Sequence, residues 1–162
     1  VPGPAAFETI ADRIDCPMLV VTTAAGGEHS GCLVGFSTQC SINPPRYLIC
    51  LSNKNHTYRV AVGATHLCAH LLAEDQIALA RLFGEQTGDE VDKFAQCQWE
   101  AGAGGAPVLT EAAAWIAGPI VEQWDAGDHR CFVIDVESAQ HGAAERFLTF
   151  QAVKGLEPGH AP

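Results

Sequence analysis

Met18-Leu19-Val20-Val21-Thr22-Thr23 is a run of branched and long aliphatic side chains that turns polar only at its last two positions, and it reads as a β-strand. Gly26-Gly27 follows at once and suits a hairpin turn, so the chain is expected to return through Ser30 to Val34 as a second strand. Pro17 separates this hairpin from a short helix over Ala5 to Arg13. Further along, Tyr47 to Leu51, Leu67 to Leu72, Ala112 to Val121, Arg130 to Val136 and Phe147 to Val153 read as strands, with Pro44-Pro45 and Gly127-Asp128 as turns. Asn55 is placed to cap a short helix running to Val62, and Ile77, Ala80, Leu82 and Phe83 recur at near-helical spacing. The segment from Gly84 to Pro107 is Gly-rich and polar, a long excursion with a helical turn around Val91 to Phe94.

These elements are mainly β with short inserted helices, and they lack the regular strand–helix alternation of a doubly wound sheet. A β-barrel is the expected architecture, because closing the sheet removes edges that several apolar strands would otherwise expose. No repeat or linker divides the 162 residues, so a single domain spans 1–162.

Nine basic against nineteen acidic residues give a net charge of −10, the wrong sign for a surface that neutralises phosphate backbones, and no nucleic-acid partner is expected. No segment approaches the ~18 apolar residues of a membrane span, and the first seven residues carry no basic leader. The seven cysteines form no CxxC pair, which reads as free thiols in a reducing compartment. A cytoplasmic location is therefore expected.

Three places carry chemistry. Gly35-Phe36-Ser37-Thr38-Gln39-Cys40-Ser41 fills a would-be strand with small and hydroxyl residues, giving a backbone strip that could approach a planar ring and serve its heteroatoms. Ser52, Lys54, Asn55 and Thr57 cluster at a strand exit, where donors and one positive charge could hold a phosphate. His129 follows Gly127-Asp128 at a strand entrance, where Asp128 could orient its ring. No GxGxxG or GxxxxGK[ST] loop supports a Rossmann or P-loop site. His66, Cys68 and His70 alternate on one strand face, but a structural zinc wants four ligands at finger or ribbon spacings; strand packing is the reading and no metal is assigned.

Taken in order, Ser41-Ile42-Asn43-Pro44-Pro45 with Tyr47-Leu48-Ile49-Cys50-Leu51 and Asn55-His56-Thr57, then Leu79-Ala80-Arg81-Leu82-Phe83 with Asp92-Lys93-Phe94, then Gly127-Asp128-His129, resemble the flavin reductase-like FMN-binding split-barrel family. The resemblance runs from about Cys16 to Leu156. It implies a homodimer with FMN, or FAD, in a groove between subunits, reduced by NADH or NADPH and discharging to free flavin or to a monooxygenase partner. On that resemblance Gly35 to Ser41 line the isoalloxazine, Ser52, Lys54, Asn55 and Thr57 hold the ribityl phosphate, Phe94 borders the groove, and His129 lies near flavin and nicotinamide. Leu33, Gly35 and Gln39 stand where the family often has Thr or Ser, Asn55 where it has Ser, and His70 where it has Asn. These departures keep a deazaflavin donor open alongside a nicotinamide, and two competing classes stand beside the reductase: an FMN-binding redox or storage protein without turnover, and a related barrel holding haem or another cofactor.

Overall fold

The computed structural model describes residues 3–159. Helix α1, Pro4–Ala11, starts with proline in its first turn and buries none of its residues. Strands β1 (Leu19–Ala25) and β2 (Glu28–Val34) form the expected hairpin, and Gly26 and Gly27 between them both have positive φ, 59° and 79°, the conformation a tight two-residue turn demands. Then come β3 (Ser37–Ser41), β4 (Arg46–Ser52), helix α2 (His56–Ala61), β5 (His66–Leu71) and helix α3 (Ile77–Gly84). A 3₁₀ turn at Lys93–Gln96 precedes the short strands β6 (Trp99–Ala101) and β7 (Pro107–Leu109). The chain ends with β8 (Ala114–Ala126), β9 (His129–Asp135), β10 (Ser138–His141) and helix α4 (Phe150–Val153).

All pairings are antiparallel, in the order β2-β1-β5-β8-β9-β4-β3, with β10 also beside β8. Period-two alternation divides the apolar side chains between two cores. Leu19 and Val21 join Cys32, Val34, Ile49, Leu51, Leu67, Phe132 and Ile134 in one cluster, whereas Met18 and Val20 join Leu72, Phe83, Leu109 and Leu148 in another, beneath α3. The first cluster takes residues from β2 and from β4, strands far apart along the ladder, so the sheet wraps around it. The ladder itself does not close: among the described residues no strand pairing joins β2 to β3, and the expectation of a fully closed sheet is corrected to one open at these two edges.

Strand β8 belongs to both halves of the sheet. Its first half pairs with β5 and its second with β9, with a register shift between Ile120 and Glu122. At Gly118 an added Cβ would lie 1.5 Å from the Asp135 carbonyl oxygen, so only glycine lets the chain leaving β9 cross here and continue into β10.

Two expectations about strands need correction. Phe147 to Val153 is not the last strand: Ala73 and Phe147, and Pro17 and Thr149, make isolated bridges, and Phe150–Val153 is helical. Leu148 and Val153 still bury themselves in the second core, so the apolar run marked burial correctly and its short length could not tell strand from helix. Strand β8 runs on to Ala126, beyond Val121, because its exposed end is held by β9 through Arg130, which donates to Gln123 and Asp125 at 2.9 and 2.7 Å. The long excursion contains the 3₁₀ turn two residues later than expected, capped by Asp92 accepting from the Phe94 N–H at 3.1 Å, and a small β6–β7 pair that composition did not announce.

Candidate functional site

The exit of β4 and the entrance of β9 are joined residue to residue. Ser52 is the register partner of His129, and the Asn53 N–H donates to the Asp128 carbonyl at 2.9 Å, tying the Ser52–Thr57 loop to the Gly127-Asp128 turn. Within the loop the Asn55 N–H donates to the Ser52 carbonyl at 3.0 Å, and the Asn55 side chain accepts from the Thr57 N–H at 2.9 Å, the cap expected of it. Thr57 is turned inward, buried, with its hydroxyl 2.9 Å from that of Ser30. Lys54 is exposed and Ser52 half-buried.

Beside this junction lies an open cavity of about 130 Å³ lined by Leu33, Val34, Gly35, Phe36, Leu51 and His129, with Cys32, Cys50, Ser52 and Asn55 completing its wall. The Phe36 ring is 61% exposed and stands 4.9 Å from the His129 ring at 45°. His129 Nδ1 is 2.7 Å from Asp128 Oδ1. An ionised carboxylate only accepts, so Nδ1 carries the proton and Nε2 is the ring nitrogen turned away from Asp128. The hydrogen bond from His129, followed by its charge, lowers the Asp128 pKa from the ordinary carboxylate value, which keeps it ionised at neutral pH.

The Gly35–Ser41 strip divides into two parts. Gly35 and Phe36 line the cavity, while Ser37, Thr38, Gln39, Cys40 and Ser41 form β3, paired on one side with β4 and ending the ladder on the other. Ser37 shares a hydrogen bond of 3.1 Å with the Tyr47 hydroxyl, and the Gln39 amide donates to the Ser41 carbonyl at 3.2 Å. Phe94 sits elsewhere: it packs in the second core with Phe83, Trp99 and His29 and borders a separate cavity of about 480 Å³ with Glu28, His56 and Asp89. Of the alternating β5 residues, Cys68 and His70 are buried with Cys68 Sγ 3.3 Å from His70 Nε2, and His66 Nδ1 is 2.8 Å from the Thr65 hydroxyl.

Sequence reasoning overlooked the cysteines of the cavity wall. Burial pushes the Cys32 thiol up to about 11 against the hydrogen bonds of Thr57 and Asn55. Cys50 and Cys131 stand opposite each other on β4 and β9. Both fall inside strands that the sequence marks, but the register that brings them together is set by tertiary pairing.

The family described as "Flavin reductase like domain" matches residues 11–154. The chain belongs to that family. Among relatives of this flavin reductase-like chain, it is 32% identical over 138 residues to the "4-nitrophenol 4-monooxygenase/4-nitrocatechol 2-monooxygenase, reductase component" of Rhodococcus opacus, covering 85% of this chain and 72% of that one. It is 34% identical over 155 residues to "FMN reductase (NADH) RutF" of Ancylobacter novellus, covering 91% and 83%. Among solved structures, the NADH:FAD oxidoreductase SgcE6 of Streptomyces globisporus superposes with a TM-score of 0.82 at 25% identity, covering 91% of this chain and 88% of that one.

The chemistry of the groups in this flavin reductase-like domain suits a flavin, of which a cavity of about 130 Å³ encloses only a part. Among the described residues the β3 edge has no ladder partner on its outer side, so it offers backbone donors and acceptors of the kind a pyrimidine-type ring edge needs. Phe36, Leu33, Val34 and Leu51 give an apolar wall, Ser52 adds a hydroxyl to it, and the exposed Lys54 follows two residues along the loop. No helix of the described residues is long and apolar enough to cross a membrane.

Proposed function

We propose that the protein is an NAD(P)H-dependent flavin reductase that holds FMN, or FAD, in the cavity between Phe36, Ser52 and His129, and that it passes reduced flavin to a monooxygenase. The observation that carries this reading is the Ser52–His129 register pair, which brings the proposed phosphate-binding loop and the proposed donor-side histidine to one cavity in a chain of this family. The flavin, when bound, supplies the two-electron acceptor. Lys54 and Ser52 hold its phosphate by charge-assisted and hydroxyl hydrogen bonds, Asn55 and Thr57 shape the loop that presents them, and Gly35 to Ser41 flank the ring. Asp128 fixes the tautomer of His129, which leaves Nε2 as an acceptor for the amide N–H of the nicotinamide and positions the donor.

Phe36, Ile42, Val121 and Trp124 are exposed at 61%, 84%, 38% and 43%, and large apolar side chains left in water in this way support a homodimer. The name of the Rhodococcus opacus relative, a reductase component, supports the monooxygenase partner, and that of the Streptomyces structure supports FAD as a second flavin. The test is anaerobic mixing of the flavin-loaded protein with NADH, NADPH and a reduced deazaflavin. Bleaching of the visible flavin band by a nicotinamide is the expected result. A tightly bound flavin that no donor bleaches makes the protein a flavin carrier instead, and bleaching by the deazaflavin alone reassigns the donor.

A further inference from the structure

Cys50 on β4 and Cys131 on β9 are register partners, and their sulfurs lie 2.9 Å apart. The Cys50 N–H donates at 2.9 Å to the Phe36 carbonyl, on the side of β4 away from β9. A residue in an antiparallel strand sends its N–H and C=O to the same neighbour, so Cys50 and Cys131 form a non-hydrogen-bonded pair, whose Cα atoms lie about 4.5 Å apart. That falls within the roughly 4.4–6.8 Å that a disulfide spans. Cys50 is half-buried and lines the cavity beside Phe36 and Ser52, whereas Cys131 is buried behind it. One residue of the pair is thus partly exposed in the cavity wall, and the other, buried with its sulfur 2.9 Å away, is placed to resolve it.

We propose that Cys50 and Cys131 are a redox-active dithiol, converted by a hydroperoxide into a cross-strand disulfide in the cavity wall. The Cys50 sulfur attacks one peroxide oxygen, the O–O bond breaks, and with hydrogen peroxide the products are a sulfenic acid on Cys50 and one water. The Cys131 sulfur then attacks that of Cys50, the S–S bond forms as the S–O bond breaks, and the departing hydroxyl takes up a proton as a second water. Two thiols have lost two protons and two electrons, and the peroxide has been reduced to two waters. Burial and the neighbouring Cys131 push the Cys50 thiol up to about 12, so oxidation at neutral pH is slow and answers sustained oxidant. The bond would lie two residues from both Ser52 and His129 and would fix the two strands at the cavity mouth. The inference rests on the β4–β9 register and does not depend on which ligand the cavity takes.

The experiment exposes the full chain to hydrogen peroxide, blocks remaining thiols with N-ethylmaleimide in denaturant, and maps the peptides by mass. The expected result is a linked Cys50–Cys131 peptide, released by dithiothreitol, forming about tenfold faster per pH unit between about pH 7 and 9 because the thiolate is the nucleophile. Cys131→Ser should instead leave Cys50 to advance to the sulfinic acid. If both residues of the native chain remain alkylated while the exposed Cys40 is oxidised, or if Cys50 goes to the sulfinic acid without the link, the proposal is wrong. The mapping of the native chain decides this even if the variant does not fold.

Discussion

Two histidines in this protein occupy opposite environments, and the contrast separates what builds the fold from what is open to a ligand. His70 on β5 is fully buried, with Nδ1 donating to the Val20 carbonyl at 2.8 Å and Nε2 accepting from the Leu109 N–H at 3.0 Å. It stitches β1 to β7 from within, and burial lowers its pKa to about 4, so the ring is neutral. His129 stands at a cavity mouth between an exposed phenylalanine ring and a carboxylate, with one ring nitrogen turned away from its partner. The first histidine has both nitrogens committed to backbone, and the second has one nitrogen held by a side-chain carboxylate. Ring chemistry is the same in both, and the neighbours decide which can act on a substrate.

The sharpest way to break this contrast is His70→Leu. The substitution strands a buried carbonyl and a buried N–H, and with unsatisfied groups costing about 1–3 kcal/mol each, a loss of about 3–5 kcal/mol in unfolding free energy is expected by denaturant titration. A loss below about 1 kcal/mol would mean that the ring is filler and not a connector.

Acid should reveal the same histidine without mutation. Its folded pKa, about 4, lies below the ordinary 6.5, so the unfolded chain binds the extra proton between these values. The associated stability is fully present above pH 6.5 and is lost as pH falls through 4, by about 3 kcal/mol in all. Denaturation midpoints measured from pH 7 to 4 should fall more steeply in the native chain than in His70→Leu. Parallel curves would remove His70 as the cause.

At the other histidine's end of the sheet the expected effects concern ligands. Lys54→Ala should weaken FMN about tenfold and leave riboflavin nearly unchanged, as expected for one charge-assisted phosphate contact of about 1–2 kcal/mol. Equal weakening of both flavins would assign Lys54 to the loop's shape.

The two regions also differ in how far the sequence reveals them. Strands β1, β2, β4, β5 and β9 were legible from branched runs and turn glycines because those signals are local, as was the Asn55 cap. The junction of Ser52 with His129 is not local: 77 positions separate them, and only the β4–β9 register joins them. Motif order suggested that both serve one ligand, but spacing could not show it. Thr57 was expected beside the phosphate on its residue type, yet its hydroxyl faces Ser30 because the first turn of α2 packs onto β2. Phe94, which the resemblance put at the groove, packs with Phe83 and Trp99 from elements on either side of it and borders the cavity of about 480 Å³. His70 stood in an alternating trio read as strand packing, and only the position of β7 explains what the second nitrogen of its ring accepts.

The smallest expected change in stability, and the most telling for function, is His129→Ala. The imidazole is exposed in part, its hydrogen bond to Asp128 is a surface pair, and no buried partner is left unsatisfied, so unfolding free energy should move by less than about 0.5 kcal/mol. FMN binding should also be nearly intact, because Ser52 and Lys54 carry the phosphate. What should fall is donor affinity, about fivefold for the loss of about 1 kcal/mol of positioning contact. Anaerobic stopped-flow reduction at increasing NADH would then show a raised half-saturation concentration with the limiting rate little changed, the pattern of a residue that orients the donor. His129→Asn, whose amide oxygen keeps an acceptor near the same place, should recover part of the affinity. A limiting rate that collapses in both variants and loses its pH dependence would instead make His129 a proton donor, and unchanged affinity together with an unchanged rate would remove it from the donor site altogether.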